Sequence, residues 1–340
     1  MIVAENLVKE FRVTERRPGL LGSLSTLFSR EYRLVRAVSD VCFEIPAGVK
    51  AAYIGANGAG KSTTVKMLTG IMTPTSGRAL VAGLEPYRER RRNAANIGVV
   101  FGQRSQLWWD LPVLDSFRIL RRIHDIPDAV YRRNMALYRD LLDLEALGNT
   151  PVRQLSLGQR MRAEVAACLV HDPKVIFLDE PTVGLDLVLK EAVRELINHI
   201  NAELGTTVLL TSHDIGDISA ICDRVLVVNE GEVVHRGSME ELRATADTRA
   251  VVFEHRETGT GPDAAVALIE THLAGASARV VHGGRIRIEY PVARWSARQV
   301  MGFLLERFDV VDCVAPEPDL EMVLRRIYTG QPAKRPETVA

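Results

Sequence analysis

Residues 49–62 read Val49-Lys50-Ala51-Ala52-Tyr53-Ile54-Gly55-Ala56-Asn57-Gly58-Ala59-Gly60-Lys61-Ser62, and this join decides the fold. The mainly apolar run 49–54 predicts a strand, and the glycines at 55, 58 and 60 let the chain after it curl so that successive N–H groups face one anion. A helix starting near Gly60 aims its positive end at the same place. In the spacing G-x-x-x-x-G-K-[ST], Lys61 reaches β and γ phosphates and Ser62 offers a hydroxyl to Mg²⁺. The expectation is an α/β domain with a polyphosphate cradle built from Gly55, Asn57, Gly58, Ala59, Gly60, Lys61, Ser62 and Thr63.

Residues 175–178, Val-Ile-Phe-Leu, form a continuous apolar run that reads as a fully buried parallel strand. It ends in Asp179-Glu180, and adjacent buried acids are costly without a cation. Asp179 is therefore expected to hold Mg²⁺ through water, and Glu180 to orient and polarise an attacking water. Residues 206–211 predict another such strand, delivering Ser212-His213 to the same sheet edge, where α/β sheets bind ligands.

With Leu155-Ser156-Leu157-Gly158-Gln159 lying between the two phosphate elements, about residues 1–240 resemble the nucleotide-binding subunit of ATP-binding cassette (ABC) transporters, motif by motif and in order. The resemblance implies a P-loop NTPase cassette with a helical signature subdomain over about 104–170, binding ATP and Mg²⁺. It makes Gln103 the glutamine that contacts Mg²⁺ and the attacking water, Ser156, Gly158 and Gln159 the signature contacts to nucleotide, Asp186 part of the Gly184-Leu185-Asp186 D-loop, and His213 the switch histidine. Because a signature closes over ATP on another cassette, it implies a head-to-tail homodimer, with a separate integral membrane permease as partner and a peripheral place on the cytoplasmic face of the membrane. Two positions depart from the common pattern. Leu157 stands where a glycine is usual, a variant similar to the daunorubicin-type drug-exporter branch, and Phe11 stands for the adenine-stacking aromatic, with Tyr32 a second candidate and a plain core role for Phe11 the alternative.

Composition narrows the function classes. The 43 basic and 43 acidic residues of 340 cancel, so there is no electrostatic case for nucleic acid. Four cysteines without C-x-x-C spacing argue against zinc or a disulfide framework. No N-terminal apolar targeting stretch appears and no run approaches the ~18 apolar residues of a membrane helix, so another chain is expected to form any membrane path. An exporter ATPase is the leading expectation; an importer subunit, or a soluble cassette acting on nucleic acid or the ribosome, are the alternatives.

Domains are expected at 1–245 (cassette) and 246–330 (accessory α+β unit), with a disordered tail at 331–340. The accessory unit reads strand, helix, strand, Gly283-Gly284 turn, strand, helix, strand, a ferredoxin-like order, followed by a helix over 320–327. The resemblance to the drug-exporter branch implies dimer contact or regulation for such an appendage, and a structural or dimer-stabilising role is expected. An extra segment, 14–36, precedes a strand expected near Ala37; Leu20, Leu21, Leu24, Leu27 and Phe28 share one helical face flanked by Arg16, Arg17, Arg30 and Arg33, which suits a membrane surface, a partner or the cassette's own sheet. Trp108 and Trp109 follow Gln103 closely and are read either as a docking surface for the permease or as packing between subdomains.

Overall fold

The computed structural model describes residues 1–14, 32–101, 105–256, 261–318 and 320–328. The chain divides into two compact units, Met1–Ser238 and Met239–Ala340.

The first unit carries two sheets. Strands β3 (Lys50–Gly55), β5 (Ile97–Phe101), β6 (Val175–Asp179), β7 (Thr207–Thr211), β8 (Arg224–Asn229) and β9 (Glu232–Gly237) form one in the order β5-β6-β7-β3-β8-β9, parallel except for the β8/β9 pair. Residues 175–178 and all of β7 are buried, which is why these strands read as apolar runs without alternation. Strands β1 (Ile2–Thr14), β2 (Tyr32–Ile45) and β4 (Ser76–Val81) make an antiparallel sheet ordered β2-β1-β4. Along β2, Val38, Val41, Phe43 and Ile45 turn inward between more exposed neighbours, as expected of a sheet with one face on the core. Phe43 meets Tyr53 of β3 at 5.7 Å between ring centroids, inside a core that also joins Ile2, Leu7, Met67 and Phe177.

Two sequence expectations change here. The strand expected near Ala37 begins at Tyr32, because 32–36 continue the hairpin ladder with 10–14, from Glu10↔Arg36 to Thr14↔Tyr32. The ladder is reinforced by the Arg36–Glu10 ion pair at 2.8 Å. The pair Trp108-Trp109, for which packing between subdomains was one reading, lies in the irregular segment before the helix Val113–Ile123, and both rings are exposed. The amphipathic face at Leu20 to Phe28, Gln103 and the tail 331–340 lie outside the described residues.

The second unit holds β10 (Thr248–His255), β11 (Ser277–Val280), β12 (Ile286–Pro291) and β13 (Val310–Val314) in an antiparallel sheet ordered β11-β12-β10-β13. Helices Pro262–His272 and Ala297–Arg307 connect β10 to β11 and β12 to β13. One face of the sheet, with Val251, Phe253, Ile286, Ile288 and Tyr290, buries Ile269, Val300 and Leu304 of those helices in a separate core. A hydrophobic core of its own is what makes this unit a domain.

Close packing fixes where the signature helix, Leu157–Leu169, lies against the large sheet. A Cβ added to Gly98 of β5 would come within 2.2 Å of the Cys168 carbonyl oxygen. Gly98→Ala is expected to cost about 1–3 kcal/mol by forcing that helix off the sheet, read as a lower urea midpoint; an unchanged midpoint would contradict the packing described.

Candidate nucleotide site

Strand β3 ends in the glycine loop, and the helix Lys61–Leu68 starts directly after it. Gly60 sits at φ +95°, and a Cβ there would stand 2.3 Å from the Ala37 carbonyl oxygen, so both conformation and space demand glycine. The helix start is tied to β3 by Thr64, whose hydroxyl donates to Gly60 O at 3.1 Å and accepts from Tyr53 at 3.2 Å. Lys61 Nζ spans the loop, donating to the carbonyls of Gly55 at 2.6 Å and Ala56 at 3.1 Å. Burial pulls its ammonium pKa down, against the attraction of Glu180 and Asp179.

The facing wall comes from the ends of β6 and β7. Their register pairs Asp179 with Thr211, and the Thr211 hydroxyl donates to Asp179 Oδ1. Glu180 follows in a left-handed conformation, φ +55°, which costs a non-glycine residue about 1–2 kcal/mol. Its N–H donates to Thr211 O at 3.0 Å and so anchors the turn. The carboxylate faces His213, with Nε2 3.5 Å from Oε1 and the His213 N–H donating to Oε2 at 3.4 Å. Burial raises the Glu180 pKa; His213 opposes that shift, Asp179 adds to it and Lys61 opposes it.

These elements enclose a cavity of about 690 Å³ lined by Asn57, Gly58, Gly60, Lys61, Ser62, Thr63, Asp179, Glu180 and His213. Of the other residues expected at the site, Gly55 and Ala59 belong to the loop backbone, while Phe11 lies on β1 beyond its pairing with β4, its ring under Lys9 Nζ at 5.5 Å. Ser156 is exposed and caps the signature helix: the Gln159 N–H donates to its Oγ at 3.2 Å, and Gln159 Oε1 accepts from the Ser156 N–H at 2.9 Å. Gln159 thus serves as a capping partner in this chain. Gly158 lies against the D-loop, a Cβ there standing 3.4 Å from Gly184 O, and Asp186 caps the helix Leu187–Leu204 by accepting from the Leu189 N–H at 2.9 Å.

Several contributors to the cavity were not among the residues expected there. Leu157, Met161 and Val183 line the cavity although they belong to the signature helix and the D-loop approach. The Leu157 side chain occupies the space over Gly184, where a Cβ would be 2.5 Å from its Cδ2. Thr211 was within reach of the sequence, being a hydroxyl at the end of the run that delivers His213. The Ser62 hydroxyl and Asp179 carboxylate, hard oxygen donors lining one cavity of ligand size, fit Mg²⁺, which takes one or two carboxylates together with substrate phosphates.

Comparison with known proteins gives this geometry a family. A family model described as ABC transporter matches residues 38–183. The chain is 30% identical over 222 residues to the ABC transporter ATP-binding protein NatA of Bacillus subtilis (strain 168), covering 65% of this chain and 90% of that protein. The chain belongs to the ABC transporter ATP-binding family. It is also 28% identical over 303 residues to the methionine import ATP-binding protein MetN of Latilactobacillus sakei subsp. sakei (strain 23K), covering 86% of this chain and 85% of that one. Its fold is like that of the ATP-binding cassette MJ0796, solved as a dimer in a post-hydrolysis state bound to ADP and Pi: TM-score 0.59 and 24% identity over 70% of this chain and 99% of that one. This cassette is an ATPase that uses ATP with Mg²⁺. Its relatives include an importer subunit, so the likeness fixes the family and not the drug-exporter branch.

Because the folded pKa of Glu180 lies above its unfolded value, protonation favours the fold. That stability is complete below the unfolded carboxylate range and is lost as pH rises through the raised value. Glu180→Gln is therefore expected to melt above wild type at pH 8 and to converge with it as pH falls toward the carboxylate range. A Tm difference independent of pH would contradict the assignment.

Proposed function

We propose that this chain is the ATP-hydrolysing subunit of an ABC exporter, working as a head-to-tail homodimer on a separate membrane permease. The observation that carries the dimer is that Ser156, exposed at the start of a capped helix, lies outside the cavity of its own chain. A second copy would bring its Ser156 and Gly158 over the ATP held by the first, using the helix start as an anion site. Lys61 and the loop N–H groups neutralise and orient the phosphates, and Ser62 with Asp179 and Gln103 would hold the Mg²⁺, which offsets phosphate charge when bound. Glu180 orients the attacking water and accepts its proton, and His213 steadies the Glu180 carboxylate and the transferred phosphoryl group. Phe11 stacks on adenine and Asp186 reaches the partner's site.

Export is supported by the Leu157 form of the signature together with an accessory unit whose β-α-β-β-α-β order is that of a ferredoxin-like fold. That unit, residues 246–330, is assigned a structural or dimer-stabilising role. The second reading, import, is favoured by the MetN alignment, which spans 86% of this chain. The reading places the chain as a peripheral subunit at the cytoplasmic face; among the described residues no helix is long and apolar enough to cross a membrane. Trp108 and Trp109, 37% and 51% exposed, form a surface suited to a permease helix, with Arg160 over the Trp109 ring at 5.8 Å.

Purification from native membranes in mild detergent is expected to bring down a polytopic membrane protein in near-equal amount; recovery with ribosomes or DNA would overturn the transporter reading. Trp109→Ala is expected to retain the ATPase of the isolated subunit while transport in the assembled complex falls. Loss of both together would mean that the ring serves internal packing.

A further inference from the structure

Away from the cavity walls, a polar cluster inside the first unit joins Thr182 and the helix after it to residues 214–217. Asp217 is fully buried, and its Oδ1 accepts from Arg194 through both Nε at 2.8 Å and Nη2 at 2.6 Å. Its Oδ2 accepts from the hydroxyl of Thr182, itself 2% exposed. One turn before Arg194 on the helix Leu187–Leu204, Lys190 Nζ reaches Asp214 Oδ2 at 2.6 Å. Asp214 also caps the helix Ile215–Ile221, accepting from the N–H groups of Gly216 at 2.8 Å and Asp217 at 3.3 Å.

The placement of this cluster gives it meaning. Thr182 stands two residues after Glu180, and Asp214 directly follows His213. Lys190 and Arg194, four residues apart on one helix face, belong to the helix that Asp186 of the D-loop caps. Glu180 holds an unfavourable left-handed backbone, and its own contacts to His213, at 3.4 and 3.5 Å, are long. Such a conformation persists only where its surroundings over-determine it. A buried ion pair is weak evidence for stability, but one whose every oxygen is satisfied specifies geometry.

We propose that Thr182, Asp217 and Arg194 are positioning residues, a buried latch that holds Glu180 and His213 facing each other and ties both to the D-loop helix. The inference rests on the reading of Glu180 and His213 given above. Through it, a push on Asp186 is carried by a rigid helix to the two residues flanking the attacking water.

The test compares Thr182→Val, which keeps shape and removes the hydroxyl, with Thr182→Ser, which keeps the hydroxyl. Steady-state ATPase, binding of ATP in the presence of EDTA and Tm are measured for the full chain, with Glu180→Gln alongside. The expected result is a kcat about tenfold lower for Thr182→Val, with KM and ATP affinity within about twofold of wild type, and recovery in Thr182→Ser. A purely structural role predicts a lower Tm with kcat unchanged below the melt, and that result would overturn the proposal. So would a kcat loss that serine fails to restore. If Thr182→Val does not fold, Arg194→Lys, which keeps the charge and loses the paired donors, is read by the same criteria. Wild-type turnover by Glu180→Gln would overturn the Glu180 reading and the latch together; an inactive Glu180→Gln beside a fully active Thr182→Val would remove the latch alone.

Discussion

The hydrogen-bonded register of β3, β6 and β7 is the constraint on which the site depends. Val175↔Thr207 through Asp179↔Thr211 align β6 with β7, and Lys50↔Val208 through Ala52↔Leu210 align β3 with the same strand. The glycine loop, Asp179-Glu180 and Ser212-His213 therefore leave the sheet at one edge. A slip of one residue would turn every side chain to the opposite face and part Asp179 from the Thr211 hydroxyl, so the site exists only in this register. Packing thus sets the position of the charges, and the charges do the chemistry.

Those charges are placed at some electrostatic cost. Burial opposes ionisation of both Glu180 and Lys61, and each is part of what offsets the other. The same desolvation strengthens any interaction with a phosphoryl group that enters the cavity, so groups unfavourable in the empty fold are matched to a charged substrate. No covalent intermediate is needed: oriented water and fixed positive charge suffice for phosphoryl transfer.

What the sequence made legible was what is local. A glycine loop between a strand and a helix, and two acids at the end of an apolar strand, carry their meaning within a dozen residues. The Thr211 bond to Asp179 spans 32 positions and the Thr182 bond to Asp217 spans 35, and neither leaves a pattern in the chain because each depends on which strand and helix become neighbours. The strand start at Tyr32 was hidden for another reason: residues 32–36 are exposed on the hairpin, so they lack the inward alternation that marked Val38 onward. The Gln159 side chain closes a capping box with Ser156, an S-x-x-Q pattern legible in the sequence as a helix start.

The central claim is that each ATP site is shared between two copies of the chain. It is tested by mixing two separately purified variants, Lys61→Ala, which spoils the cradle, and Ser156→Arg, which blocks the signature, and measuring ATPase under conditions that allow subunits to exchange. Each alone is expected to be inactive. In a head-to-tail dimer the mixed species carries one intact cradle facing one intact signature, so the mixture recovers activity, up to about a quarter of wild type for random pairing. A mixture as inactive as its components, with exchange verified by two tags, would contradict the shared site.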